Sequence, residues 1–80
     1  MQLLQVQNGK TVRVLKISGG QGITHRLNQL GILPGDEAKM LRHAPLGGPV
    51  LVEVEGRAIA LGRGIAARIE VSDEGNAEQP

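Results

Sequence analysis

The chain contains no cysteine, phenylalanine, tyrosine or tryptophan. Without cysteine there can be no disulfide framework and no cysteine-ligated zinc site, and nothing points to an oxidising compartment. Without the other three there are no ring platforms of the kind on which RNA-recognition sheets and single-strand binders stack bases, so no nucleic acid is expected as a partner. Apolar runs are short as well. None approaches the ~20 residues of a bilayer span, and "MQLLQVQNGK" has neither a basic start nor a long apolar stretch. The expectation is a cytoplasmic chain with no direct membrane insertion. Nucleophiles are scarce: the only serines are Ser18 and Ser72. In a domain of 80 residues, with little room for a cleft, no catalytic residue is assigned and no enzyme is expected.

What is present is aliphatic and β-branched. "TVRVLKI", Thr11 to Ile17, reads as a strand, with Val12 and Val14 on one face and Leu15 and Ile17 on the other. That break in alternation calls for a bulge or for cover on both faces. Ile23, Leu27 and Leu30 fall at i, i+4 and i+7, the stripe of a short helix closed by Gly31, with Ile32 placed to fold back over Leu27. Leu33-Pro34-Gly35-Asp36 reads as a type II turn. A second strand follows, with Ala38, Met40 and Arg42 on one side and Lys39, Leu41 and His43 on the other. A third carries Val50, Val52 and Val54. Gly56 turns the chain into a fourth around Ile59 and Leu61, and a short turn at "GRGIAA" leads to a fifth around Ala67, Ile69 and Val71. Five short strands and one helix predict a mainly β domain, residues 1–71, curled into a small, partly open barrel. "SDEGNAEQP", residues 72–80, reads as a disordered polar and acidic tail. Three of the eight acidic residues lie in it, so nine basic side chains face five acidic ones in the body, about +4.

Few constellations carry chemistry. The turn "SGGQG" before the helix lacks the Lys-Ser/Thr that a phosphate loop places after its last glycine. His25 and His43 are the only histidines; with Asp36 and Glu37 they are the candidates for a weak surface or intersubunit site for a divalent transition metal, Fe2+ or Zn2+. No tightly bound cofactor is expected. Glu53 and Glu55 lie opposite the valine face and read as solvated. Two features suggest a partner. One is the polar helix face of Thr24, His25, Arg26, Asn28 and Gln29. The other is the loop "APLGGP", whose two glycines and two prolines shape a bend that presents Leu46, with the basic Arg42 and Arg57 as further candidates. For Leu46 two readings stand: a plug folded over the open end of the barrel, or a side chain shown to a partner.

"HRLNQLGILPGDEAKMLRHAPLGGPVLVEVEGRAIAL", followed by "AARIEV", resembles the FeoA family of small proteins of bacterial ferrous iron transport, over residues 10–71. The resemblance implies an SH3-like barrel with a helix inserted after the first strand. It also implies an accessory or regulatory role in Fe(II) uptake, exercised on the cytosolic part of the membrane transporter FeoB, which includes a GTPase domain, with recruitment to the inner face of the membrane. The same domain ends DtxR-like metal-dependent repressors, behind a DNA-binding domain; the stand-alone transport form is the expectation here. Gly62-Arg63-Gly64-Ile65 departs from the family, which usually has a basic residue and then a more acidic helical segment at that point. The second reading is a metal-responsive sensor module with a weak or shared site. Self-association is compatible with either.

Overall fold

Val12 and Val14 lie on either side of Arg13, and the strand that holds them, β1 (Thr11–Ile17), buries both. In the computed structural model, which describes residues 1–72, β1 belongs to a single antiparallel sheet with β2 (Glu37–His43), β3 (Val50–Val54), β4 (Arg57–Leu61) and β5 (Ile69–Ser72). The spatial order is β4-β3-β2-β1-β5. The two edge strands do not pair with each other, so the sheet wraps its apolar face as a partly open barrel, as expected. Ser72, read as the first tail residue, is the last residue of β5; the rest of the expected tail lies outside the described residues.

Two bulges interrupt the pleat. In β1, Val14 pairs with Val71 and Lys16 with Glu70, so Leu15 is the extra residue and is 49% exposed. This is the irregularity that the broken alternation required. In β2, Met40 pairs with Val52 and Arg42 with Leu51, leaving Leu41 as the extra residue. The second bulge corrects the expected alternation. Beyond Leu41 the faces exchange, so Arg42 points to solvent and His43 turns inward to half-burial, its Nε2 2.8 Å from the Val6 carbonyl oxygen.

The helix α1 (Gln21–Leu30) begins two residues before the apolar stripe and buries Leu27, with Ile23 and Leu30 packed against the core. Gly31 ends it at φ 90°. The Gly31 N–H donates to the Asn28 carbonyl (3.0 Å) and the Ile32 N–H to the Leu27 carbonyl (2.9 Å), the two bonds of a Schellman cap, with Ile32 buried like Leu27. The Leu33–Asp36 turn then closes from both sides. The Asp36 N–H donates to the Leu33 carbonyl at 3.1 Å, and the Asp36 carboxylate accepts the Leu33 N–H at 2.9 Å. Between β3 and β4, Glu55 and Gly56 both take positive φ, 53° and 78°, the backbone of a two-residue type I′ hairpin turn. Where a short turn was expected after β4, one turn of α-helix forms, α2 (Arg63–Ala66), which buries Ala66.

One part of the core lies where no periodicity marks it. Leu3, the first residue of a 3₁₀ turn, Leu3–Gln5, and Val6, just after it, are both buried; the Gln5 side chain stabilises the turn by accepting the Gln2 N–H at 2.8 Å. The sixteen buried residues are all Leu, Val, Ile, Ala or Met, and among the described residues no polar or charged residue is buried. At about 1.5–3 kcal/mol for each large aliphatic side chain withdrawn from water, this layer is what holds so small a sheet together.

Candidate functional site

The loop Ala44–Pro49 leaves β2 and enters β3 as a closed turn. The Ala44 N–H donates to the Pro49 carbonyl at 2.9 Å, and the Gly48 N–H to the Pro45 carbonyl at 3.2 Å. That second bond places Leu46 and Gly47 at the two central positions, both with positive φ, 61° and 74°. A β-carbon on Gly48 would lie 2.9 Å from that of Ala44, so the loop closes only around a glycine there. Leu46 is 102% exposed. It touches no barrel opening, which removes the plug reading. A left-handed conformation costs a leucine about 1–2 kcal/mol, and backbone strain of this kind is concentrated where it serves function.

Basic side chains surround the loop. The Arg63 Cδ lies 3.9 Å from the position of a β-carbon on Gly47, so α2 abuts the turn. Arg42 is exposed on the last turn of the pleat before the loop. Neither arginine forms an ion pair among the described residues.

The polar face of α1 is arranged differently. Thr24 is half-buried, its hydroxyl donating to the Gly20 carbonyl at 3.1 Å, whereas His25, Arg26, Asn28 and Gln29 are exposed. An open groove of about 530 Å³ runs between this face and the end of β1, lined by Ile17, Gly20, Gln21, Thr24, His25 and Asn28. Arg26 and Gln29 lie outside it. Arg57 belongs with the helix: its Nη1 donates to the Leu30 carbonyl at 3.2 Å, satisfying one of the unpaired acceptors at the helix C-terminus. The chain therefore divides the residues expected to form one contact surface. α1 and Arg57 lie where β2 begins and β3 ends; Leu46 and Arg42 lie where β2 ends and β3 begins, separated by a strand of seven residues, roughly 20 Å.

The metal candidates do not converge. His25 stands exposed on α1, His43 has Nε2 against Val6, Asp36 holds its own turn, and Glu37 pairs with Arg13 at 3.2 Å. Among the described residues no three His, Asp or Glu side chains are grouped to hold a metal ion. A grouping missed from sequence is the groove of about 470 Å³ lined by Asp36, Glu37, Glu53 and Glu55 with Thr11 and Lys39. Only the register of β2 with β3, Lys39 opposite Glu53, brings those segments side by side. No helix among the described residues is long and apolar enough to cross a membrane.

Residues 1–73 match the sequence pattern of the FeoA domain. The chain belongs to the FeoA family. Among its relatives is an Fe(2+) transport protein A of Methanocaldococcus jannaschii, 40% identical over 67 residues, which are 84% of this chain and 79% of that protein. The FeoA of Chlorobium tepidum superposes with a TM-score of 0.84 at 32% identity, covering 91% of this chain and 70% of that one. The FeoA of Stenotrophomonas maltophilia, solved in complex with zinc and described as a prokaryotic SH3 domain, superposes at 0.76 with 29% identity, covering 90% and 89%. This FeoA chain thus has the SH3-like fold, and its family is that of ferrous iron transport accessory proteins.

Proposed function

We propose that this protein serves ferrous iron uptake by binding the cytosolic part of a FeoB-type transporter, and that Leu46 is the centre of the contact. The observation that carries this reading is the full exposure of Leu46 in a left-handed conformation on a cross-braced loop. A single apolar side chain held rigidly in a basic surround suits an apolar pocket with an acidic rim. The small loss of side-chain freedom on docking favours affinity. Arg42 and Arg63 supply the surround, and the transporter recruits the protein to the inner face of the membrane. The groove along α1 supplies a second contact at the other end of β2, with Arg26 on its flank.

A metal-sensing role finds little support in the donor set. His43 is engaged with Val6 and Glu37 with Arg13, so the residues present do not fit an ion held within one molecule. The zinc in the S. maltophilia structure belongs to that protein.

The test is a pull-down of the cytosolic part of FeoB by the wild-type protein, Leu46→Asp and Arg26→Glu, with folding checked by circular dichroism. Leu46→Asp is expected to weaken capture by at least about tenfold, the scale of a central contact residue. Capture by Leu46→Asp equal to wild type removes Leu46 from the interface.

A further inference from the structure

The two edges of the open sheet are in different states. On β5 the outer edge is occupied: Gln2 bridges Glu70, and the Val71 N–H donates to the Met1 carbonyl at 2.7 Å. On β4 it is bare. Val54 and Arg57 flank the two-residue turn and so exchange both of their bonds. Alternation along the ladder then commits Arg57, Ile59 and Leu61 to β3 and directs the N–H and C=O of Ala58 and Ala60 outward. No hydrogen bond among the described residues takes those four groups. Proline, lysine or a bulge commonly protects such an edge, and β4 has none of them: its register with β3 is unbroken. Its own charged residue, Arg57, is turned away from the edge onto the Leu30 carbonyl.

We propose that the outer edge of β4 pairs with the same edge of a second copy of this chain, antiparallel about a two-fold axis at Ile59. The outward groups select the register. Centred on Ile59, Ala58 of each copy faces Ala60 of the other, and each such pair exchanges two bonds, so all four outward groups of both copies are used. Centring on Ala58 would set Ala60 against Gly56 in the hairpin turn, and centring on Ala60 would set Ala58 against Gly62, past the end of the strand. Neither alternative keeps both pairs within the strands. Side chains raise no obstacle, because the facing residues on the outer surface are the exposed methyl groups of Ala58 and Ala60.

The charges agree with that register. Just beyond the strand ends, the two-fold about Ile59 brings Glu55 of each copy opposite Arg63 of the other, one opposite-charge pair at each end. Glu55 and Arg63 are both exposed, and neither forms an ion pair among the described residues. An unrelated strand could take the same backbone groups, but a second copy brings the matching charges with it. The formal net charge of +1 sets little general repulsion against the pairing. A seam five residues long buries far less surface than a stable dimer needs, so association is weak, half complete at about millimolar chain.

The test is an amide NMR dilution series of the full chain between micromolar and millimolar concentration, with translational diffusion measured at each step. As concentration rises, the Ala58 and Ala60 amides are expected to shift and to gain protection from hydrogen exchange while diffusion slows. Glu55→Arg and Arg63→Glu each put like charges at both ends of the seam, and each should weaken self-association about tenfold. Mixed together, the two variants restore opposite charges at both ends and should pair with each other, with the shifts again at Ala58 and Ala60. Ala60→Pro, which removes an outward N–H, should abolish pairing; should it fail to fold, the charge variants decide, since both of their sites are exposed. Leu46→Ser should leave pairing unchanged, so this seam and the Leu46 contact succeed or fail separately. Four results would overturn the proposal: no concentration dependence at Ala58 and Ala60, single charge variants that associate like wild type, a mixture that does not pair, or association that Leu46→Ser dissolves. A chain that stays monomeric but shifts at Ala58 and Ala60 with an added valine-threonine peptide would give the edge to another strand and overturn it equally.

Discussion

Gly31 is where helix, turn and hairpin meet, and replacing it by alanine has a cost that can be assembled from the structure. The residue sits at φ 90°, where an L-residue pays about 1–2 kcal/mol. The new β-carbon would also overlap Nη2 of Arg57 and lie 3.0 Å from its Cζ. The guanidinium must then leave, which sacrifices its 3.2 Å bond to the Leu30 carbonyl. For an exposed bond at a helix C-terminus this adds about 0.5–1 kcal/mol. Gly31→Ala should therefore destabilise the domain by about 1.5–3 kcal/mol. Part of that loss depends on Arg57. In an Arg57→Ala background the overlap is gone, and the same substitution should cost only the backbone term, about 1–2 kcal/mol. The expected coupling is about 0.5–1 kcal/mol. Urea unfolding of the four proteins, followed by far-ultraviolet circular dichroism because the chain lacks tryptophan and tyrosine, measures each cost at constant m. Costs that add to within about 0.3 kcal/mol would show that the missing side chain of Gly31 is not what makes room for Arg57.

Two further predictions concern positive φ at residues other than glycine. Leu46→Asn should raise stability by about 0.5–1 kcal/mol in urea titration, since asparagine tolerates the left-handed region and Leu46 buries nothing, while weakening capture of FeoB. A loss of stability would mean that the exposed leucine supports the fold. Glu55→Asn converts the β3–β4 turn to Asn-Gly, the preferred type I′ pair, and should raise the melting temperature with the amide spectrum elsewhere unchanged. An unchanged or lower melting temperature would count against the type I′ assignment.

How legible each part was depended on how locally it is determined. The valines of β3 and the stripe Ile23, Leu27, Leu30 mark their elements because a strand and a helix each repeat within a few residues. The Schellman cap was equally readable, since Gly31 and Ile32 both carry its signature. Leu3 and Val6 were passed over because a single 3₁₀ turn has no period to detect. The faces of Arg42 and His43 were misread for another reason: a bulge is set by the partner strand, and nothing in "KMLRH" says that Leu41 will have no opposite number in β3. For the candidate site, the sequence located the displayed leucine but left its direction open, and the hydrogen bonds of the loop decided it. The distance between α1 and Leu46 is a property of the topology. The bare edge of β4 likewise follows from strand order, which no single segment encodes.

The ring-free core has a practical consequence for the contact proposed here. Every buried residue, and Leu46 as well, carries a methyl group, so methyl NMR samples both the interior and the displayed side chain. The chain has no phenyl, phenol or indole ring to shift those signals, and its only aromatic groups are the imidazoles of His25 and His43. An upfield displacement of the Leu46 methyl signals on adding a partner would then report an aromatic residue of that partner lying over them. The protein is a blank field on which the geometry of its binding pocket can be read.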